Sequence, residues 1–224
     1  MEYLNAHPCI ADIHGVMSVF EWLAEQTARQ NADLLVLAGD LLDVDSEDEQ
    51  RKQARNIIAV LKTLRVPVFY IMGNDDFIPL NYEDQRIRPL DGRRLQYGEY
   101  NFVGYQYSLP FIGGIYTKTE DQIAGDIQSL EPLVDGNSVL VTHSPVFGVL
   151  DRTASGTHAG SHSLRELITR KPPLLHIHGH IHNCFGREGN HLNVAAAATR
   201  RAMCLELPSL AHLIIQDPCT RCDG

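Results

Sequence analysis

The chain has 224 residues and a formal net charge of −9, with 44% hydrophobic and 21% charged residues, which is ordinary for a globular protein. A surface that binds long nucleic acids needs clustered lysine and arginine, so we expect no large nucleic-acid surface. The longest apolar runs, such as "LLVLAG", have strand length and are too short to cross a membrane. The first residues lack the pattern of a signal peptide, and we expect a cytoplasmic protein.

Four Ser/Thr-x-x-Glu pairs predict where helices begin, since such a pair can satisfy two free backbone N–H groups. The pairs start at Ser18, Ser46, Thr117 and Ser163. Apolar residues with helical spacing follow each pair, which predicts four helices with one buried face each.

Short apolar runs between these helices predict strands. The first six lie around Cys9–Ala11, Leu34–Ala38, Val66–Met72, Asn101–Tyr105, Ser138–Thr142 and Leu174–Ile177. Three later runs, "HLNVAAA", "AMCLEL" and "AHLIIQ", have no helices between them and indicate antiparallel strands. The polar segment 77–97 is expected to be a long loop or an insertion near the mouth of a site.

No linker or shift in composition divides the chain, so we predict one α/β domain over residues 1–217 and a tail over 218–224. Two packed sheets with helices outside would accommodate both the α/β first part and the antiparallel last part. The apolar run 213–215 belongs either to a sheet or to the contact face of a homodimer.

The five cysteines predict no disulfide framework. Cys9, Cys184 and Cys204 stand beside apolar residues and are expected to be buried free thiols. Cys219 and Cys222 form a C-x-x-C, a pattern found in redox and zinc sites, but no second pair or following helix supports either role.

Residues that can bind metal ions follow five of the predicted strands. In chain order they are Asp12 and His14, Asp40 and Asp43, Asn74 to Asp76, His143, and His180 with His182. Ligands of α/β sheets lie beyond the carboxyl ends of the strands, so five segments direct these side chains to one place. Each residue alone is explained by a turn or a cap, but together they predict a metal site.

The ordered motifs D-x-H, G-D-x-x-D, G-N-x-D, H and G-H-x-H, over residues 12–182, resemble those of the calcineurin-like metallophosphoesterases. The stretch from "THSPVFGVLDRT" to "PPLLHIHGHIH" is similar to the small single-domain members, including the brain metallophosphoesterase-domain proteins. The resemblance implies a four-layer α-β-β-α double β-sandwich. It also implies a phosphoesterase with two metal ions.

The same resemblance implies which residues hold the two ions. The first ion would be held by Asp12, His14, Asp40 and His182, and the second by Asp40, Asn74, His143 and His180, with Asp40 bridging. Carboxylate, amide and imidazole donors without thiolate favour divalent transition metals. Manganese is expected first, with iron, zinc, nickel or cobalt as alternatives. A water between two such ions loses a proton near neutral pH and attacks phosphorus.

Asp75 departs from the commonest family motif, G-N-H-[DE], in which the histidine is thought to protonate the leaving group. An ionised carboxylate cannot donate a proton, and two cations nearby would keep Asp75 ionised. Another catalytic acid is therefore expected, first His158 in "GTHAGSH" and second His162; otherwise the substrate must have a good leaving group. Asp43 is expected to orient a ligand histidine or to cap the next helix.

The substrate class follows from two absent arginines. The protein serine/threonine phosphatases of this superfamily carry arginine where this chain has Val44 and Phe77, which disfavours a protein phosphatase. A small organic phosphodiester, for example a nucleotide or cyclic nucleotide, is the expected substrate. The alternative is a catalytically weak scaffold of this fold for protein–protein interaction, as in the retromer scaffold subunit.

Two further features near the motifs have a structural and a functional interpretation. His176 and His178 fall on one face of a predicted strand and are expected to support the ligands or lie at the core edge. The loop from Gly156 to Ser163 runs into a predicted helix start. It is either an anion site formed by backbone N–H groups or an ordinary capped loop.

Overall fold

The protein is described from a computed structural model that covers residues 6–43, 46–110, 114–207 and 209–217. The strands are β1 (Ala6–Ile10), β2 (Leu35–Ala38), β3 (Val68–Ile71), β4 (Ile87–Pro89), β5 (Arg94–Tyr97), β6 (Tyr100–Tyr105), β7 (Ser138–Thr142), β8 (Leu175–His178), β9 (Gly186–Glu188), β10 (His191–Asn193), β11 (Arg201–Glu206) and β12 (His212–Gln216). The helices are α1 (Met17–Arg29), α2 (Glu47–Leu61), α3 (Glu120–Leu130) and α4 (His162–Arg170).

The strands form two mixed sheets. The first has the order β12-β11-β1-β2-β3-β4 and the second the order β5-β6-β7-β8-β10-β9. Neighbours from β1 to β4 pair in parallel, and so do β6, β7 and β8. The parallel strands therefore end at one edge of each sheet, where their following loops meet.

Three layers of buried apolar side chains hold the sheets and helices together. Phe69, Phe102 and Val139 are among the residues buried between the two sheets. Helices α1 and α2 pack on the outer face of the first sheet, and α3 and α4 pack on the outer face of the second. This arrangement confirms the predicted α/β class and the four-layer double β-sandwich.

The predicted helices are present, but three of their starts were wrong. Helix α2 is capped by Ser46 as predicted, with its side chain accepting from the N–H of Glu49. Helix α1 follows Val16, without a side-chain cap. Helix α3 follows Thr119, which forms a capping box with Gln122.

Contacts in the structure account for two of the three shifted starts, those of α3 and α4. Thr117 is bridged to Ser108, so helix α3 begins only after it. Helix α4 begins after Ser161, whose hydroxyl accepts from the N–H of Leu164. The predicted cap of that helix, Ser163, is already helical.

Segment 77–97 was expected to be a long loop or an insertion; the loop alternative was wrong, because β4 and β5 lie in the segment. Short strands at the edge of a sheet need only one partner, so their sequence pattern is weak. At the other end of the first sheet, the run 213–215 lies in the edge strand β12. Its Leu213 and Ile214 side chains are exposed, at 43% and 46%.

Cys9 and Cys204 are buried free thiols, as expected, whereas Cys184 is partly exposed. The predicted tail, with Cys219 and Cys222, lies outside the described residues. None of the helices in the described part of the chain is apolar over a bilayer-spanning length.

Candidate metal centre

The loops after β1, β2, β3, β7 and β8 meet at one end of the two sheets. Among the described residues, potential ligand atoms cluster within 4.8 Å of one another in three groups. The groups are Asp12, His14 and His182; Asp40, His143 and His180; and His14, Asp40 and Asp75. The third group joins the other two through His14 and Asp40.

The first group has two imidazoles beside one buried carboxylate. His182 Nε2 lies 3.1 Å from Asp12 Oδ1, and His14 Nε2 lies 3.2 Å from His182 Nε2. Asp12 is fully buried and also accepts from the backbone N–H of His180. Three atoms that can donate electron pairs thus face a common point.

The second group is arranged around His143. Its Nε2 lies 3.2 Å from Asp40 Oδ2 and 3.0 Å from Asn74 Oδ1. Its Nδ1 lies 3.0 Å from the carbonyl oxygen of Ala38, a bond that requires the proton on Nδ1. In its neutral form, this ring would direct the lone pair of Nε2 toward both oxygens, so these atoms could hold a cation between them.

The charges of the site are strongly coupled. Burial alone would lower the pKa of His143, but Asp40 and its hydrogen bond raise that pKa to about 10. Burial opposes ionisation of Asp40, yet His143 holds the pKa of that carboxyl well below its usual range. Burial and then His143 lower the pKa of His180 to about 4. A proton on His143 partly offsets the carboxylates, a task that a metal ion would take over.

Four of the predicted ligands have left-handed backbone conformations. The φ angles are 57° at Asp12, 49° at His14, 50° at Asp40 and 70° at His180. Asp and His adopt this region more readily than most residues, but each such residue still costs about 1–3 kcal/mol in strain. Strain of this kind concentrates at functional sites.

Helix α2 holds the two loops that carry Asp40 and Asn74. The buried amide of Gln50 donates to the carbonyl oxygens of Asp43 and Asp75 and accepts from the N–H of Phe77. Asp76 links the same loops, because its carboxyl oxygens accept from the N–H groups of Leu42 and Gly73. The sequence offered no signal for the contacts of Gln50, which is separated along the chain from both loops.

Asp43 was expected to orient a ligand histidine or to cap the next helix, but helix α2 is capped by Ser46. The side chain of Asp43 is exposed and belongs to none of the three ligand groups of described residues. Asp75 Oδ2 lies 3.5 Å from His14 Nδ1. Burial and then Asp40 raise the pKa of Asp75.

His158 lies beside the ligands. It lines a cavity of about 390 Å³ together with His180, Leu109 and Pro110. Its Nδ1 is 2.6 Å from Oδ1 of Asp151, a buried carboxylate. Because Nδ1 is paired with Asp151, Nε2 is the ring nitrogen of His158 that remains for other contacts. The other candidate acid, His162, is exposed, and its ring stacks on Phe147 at 3.8 Å between centroids.

At the end of the loop before α4, the N–H groups of the helix start already contact a carboxylate. The carboxylate of Glu120 accepts from the N–H groups of His162 and Ser163 and from the hydroxyl of Ser161. Ser161 itself accepts from the N–H of Leu164. The structure therefore supports the interpretation as a capped loop, with Glu120 as the anion at this helix start.

His176 and His178 are buried, with stacked rings 5.0 Å apart. His176 Nε2 lies 2.8 Å from the hydroxyl of Thr142, and its Nδ1 lies 2.9 Å from His191 Nδ1. Neither residue belongs to the three ligand groups of the described chain. Burial lowers the pKa of both rings, so they are neutral core residues behind the ligands, as expected.

Comparison with known proteins agrees with this geometry. The sequence model of the family described as calcineurin-like phosphoesterase matches residues 9–184. A curated protein of Emericella nidulans, "Probable rhamnogalacturonate lyase C", is 27% identical over 194 residues. That match covers 80% of this chain, but the chain spans only 17% of the length of that protein.

Solved structures with low sequence identity share the fold. The protein TT1561 of Thermus thermophilus superposes with a TM-score of 0.74 at 14% identity, covering 95% of this chain and 99% of the other. A dimetal phosphatase from Danio rerio superposes with a TM-score of 0.57 at 12% identity, covering 95% and 98%. At these identities the similarity concerns the fold alone.

Proposed function

The chain belongs to the calcineurin-like phosphoesterase family, and we propose that it is a dinuclear metal-dependent phosphodiesterase acting on a small organic phosphodiester. The observation that carries the proposal is the convergence of Asp, Asn and His atoms from five strand ends into two linked groups. The first ion would be held by Asp12, His14, Asp40 and His182. The second would be held by Asp40, Asn74, His143 and His180.

The donor set supports a pair of transition-metal ions. Four imidazoles, two carboxylates and one amide oxygen, with no thiolate, suit ions such as Mn²⁺, which is the ion proposed here. When bound, two such ions supply Lewis acidity and a water that ionises near neutral pH. The protein holds the ligands rigidly, because Asp12, Asp40 and His143 are buried and hydrogen-bonded.

His158 is proposed as the general acid that protonates the leaving group. Asp151 accepts from the N–H groups of Gly148 and Gly160 as well as pairing with His158 Nδ1. It can therefore fix the tautomer and the direction of the ring. His158 and His180 line the same cavity, so the leaving group would occupy the space between them.

The preference for diesters rests on charge. A monoester carries more negative charge than a diester, and the residues after the two carboxylate motifs are Val44 and Phe77 instead of arginines. Arg201 is a basic residue near the ligands, but its guanidinium donates to the carbonyl oxygens of His182 and Ala195. A singly charged diester suits this site better.

The first test compares hydrolysis of bis(p-nitrophenyl) phosphate and p-nitrophenyl phosphate with Mn²⁺, Ni²⁺, Zn²⁺ or Mg²⁺. We expect diester turnover that requires Mn²⁺ or Ni²⁺ and disappears in Asp40→Ala. Asp121→Ala, which removes an exposed carboxylate of α3, is the matched control. Tight binding of metal without turnover of either ester would instead favour the scaffold function.

The second test concerns the acid and uses two leaving groups. An alcohol is a poor leaving group and needs a proton, whereas p-nitrophenolate does not, so His158→Ala should slow an alkyl diester by about 10²–10⁴-fold and the nitrophenyl diester much less. His162→Ala is measured beside it. Equal losses for both diesters in His158→Ala would rule out His158 as the acid, and a selective loss in His162→Ala would assign the role to His162.

A further inference from the structure

Asp75 stands where the commonest family motif has histidine, and its side chain contacts two predicted metal ligands, Asn74 and His14. Its Oδ1 accepts from Nδ2 of Asn74 at 2.7 Å. Its Oδ2 faces Nδ1 of His14 at 3.5 Å. Its backbone N–H donates to Oδ1 of Asp40 at 2.8 Å. The residue thus contacts one ligand of each ion and the bridging ligand.

The contact with Asn74 determines which end of that amide faces the second ion. An amide has one oxygen and one NH₂ group, and only the oxygen can bind a cation. Because the NH₂ group donates to Asp75, the oxygen is directed at His143 Nε2, 3.0 Å away. With the amide reversed, an NH₂ group would face the ion.

The contact with His14 similarly determines which nitrogen of that ring faces the first ion. A neutral imidazole carries its proton on one nitrogen and a lone pair on the other. A carboxylate near Nδ1 favours the proton there and leaves the lone pair on Nε2, which faces His182. Ligand histidines commonly donate their second N–H to a carboxylate, although here the two atoms are 3.5 Å apart.

We propose that Asp75 is a positioning residue of the metal centre, whose two carboxylate oxygens orient Asn74 for one ion and His14 for the other. The inference rests on the two-ion centre of the proposed function and assigns Asp75 a role other than proton transfer. One carboxylate thereby couples the two ion sites. Histidine at this position has one acceptor nitrogen and cannot make both contacts.

Ion binding without substrate tests the proposal. Titration calorimetry with Mn²⁺ should show two ions bound to the wild type, and about 10–100-fold weaker binding of both in Asp75→Asn, the range found when partners of metal ligands are removed. Asparagine has one acceptor oxygen, which Asn74 and His14 would have to share, so the orientation of both ligands is weakened. Asp75→Glu keeps two acceptor oxygens and should recover most of the affinity.

Two controls separate positioning from loss of structure. Asp121→Asn changes an exposed carboxylate of α3 and should bind both ions as the wild type does. The unfolding midpoints of Asp75→Asn and the wild type, measured in chelator, should agree within a few degrees, since Asp75 is partly exposed.

Unchanged affinity for both ions in Asp75→Asn would overturn the proposal. Loss of one ion with the other unchanged would also overturn it and identify Asp75 as a direct ligand of a single ion. A wild type that binds no Mn²⁺ would contradict the metal centre itself, which is a failure of the proposed function and not of this inference alone.

Discussion

The imidazole of His143 and the carboxylate of Asp40 face each other across 3.2 Å, from Nε2 to Oδ2, and both side chains are buried. In the metal-free protein a proton on the ring stabilises this pair, since Asp40 raises the pKa of His143 to about 10. The same nitrogen is a predicted metal ligand. An ion and a proton therefore compete for one site.

This competition predicts how ion binding depends on pH. A ligand nitrogen must lose its proton before it binds a metal, and His143 is protonated at pH 7 because its pKa lies above that value. Binding of Mn²⁺ should release about one proton, and its apparent affinity should rise by about tenfold per pH unit. Calorimetry at pH 6.5 and 7.5, in buffers with different ionisation enthalpies, measures both quantities. Affinity that is independent of pH, with no proton released, would contradict the prediction.

The stability of the metal-free protein should instead fall as the pH rises, because of Asp76. Burial and then Asp40 raise the pKa of this carboxyl to about 8, above the value of about 3.9 in unfolded chains. The folded state therefore holds a proton that the unfolded state loses. The stabilisation is complete below about pH 4 and disappears as the pH rises through 8.

The contribution of Asp76 is measured by urea unfolding at pH 5 and pH 8 in chelator. Between these values the wild type should lose on the order of 2 kcal/mol more stability than Asp76→Asn, which cannot ionise. Asp121→Asn, with an exposed carboxylate, should follow the wild type. Parallel pH dependence of the wild type and Asp76→Asn would show that the carboxyl titrates normally.

Replacing Gln50 is expected to lower the free energy of unfolding by more than the size of its side chain suggests. Its side chain satisfies three backbone groups, at Asp43, Asp75 and Phe77. Unpaired buried groups cost about 1–3 kcal/mol each, and some will find water, so Gln50→Ala should lower the free energy of unfolding by about 2–4 kcal/mol. Lys52→Ala, on the exposed side of the same helix, should change it by less than about 0.5 kcal/mol. Urea unfolding at pH 7 compares them, and a change below 1 kcal/mol in Gln50→Ala would be inconsistent with these bonds.

A side chain at position 179 is expected to weaken ion binding by a steric clash. A Cβ atom at this position would collide with the carboxylate of Asp12 and with Cβ of Ala11. Gly179→Ala should therefore displace Asp12 and weaken Mn²⁺ binding by at least tenfold, in line with the losses seen when ligand orientation is disturbed. Gly136→Ala adds the same methyl group where no atom lies within 4 Å. Calorimetry on both variants provides the comparison, and equal affinities would show that the loop relaxes freely.

The sequence predicted the place of the site well, because strand ends are a property of local pattern. The runs before Asp12, Asp40, Asn74 and His143 are apolar and end abruptly at polar residues, and the topology then brings those ends together. The left-handed backbone at Asp12 and Asp40 could not be predicted, since aspartate is also common in ordinary turns.

What the sequence did not predict depends on distant contacts. Glu120 was expected to cap its own helix, but its carboxylate accepts from groups at the start of α4 instead. Thr119 and Gln122 then form the cap of α3. A motif of four residues cannot show which of two nearby caps a carboxylate will serve when the second belongs to another helix.

The division of the ligands between the two sheets has a consequence for folding. Asp12, Asp40 and Asn74 follow strands of the first sheet, whereas His143 and His180 follow strands of the second. A complete binding site therefore forms only after the sheets have docked, which places ion binding late on the folding route. An interaction absent from the transition state slows unfolding without speeding folding. Bound ions would thus slow unfolding by joining the two halves of the chain. The contacting ligands Asp12 and His182, for example, are 170 residues apart in the sequence.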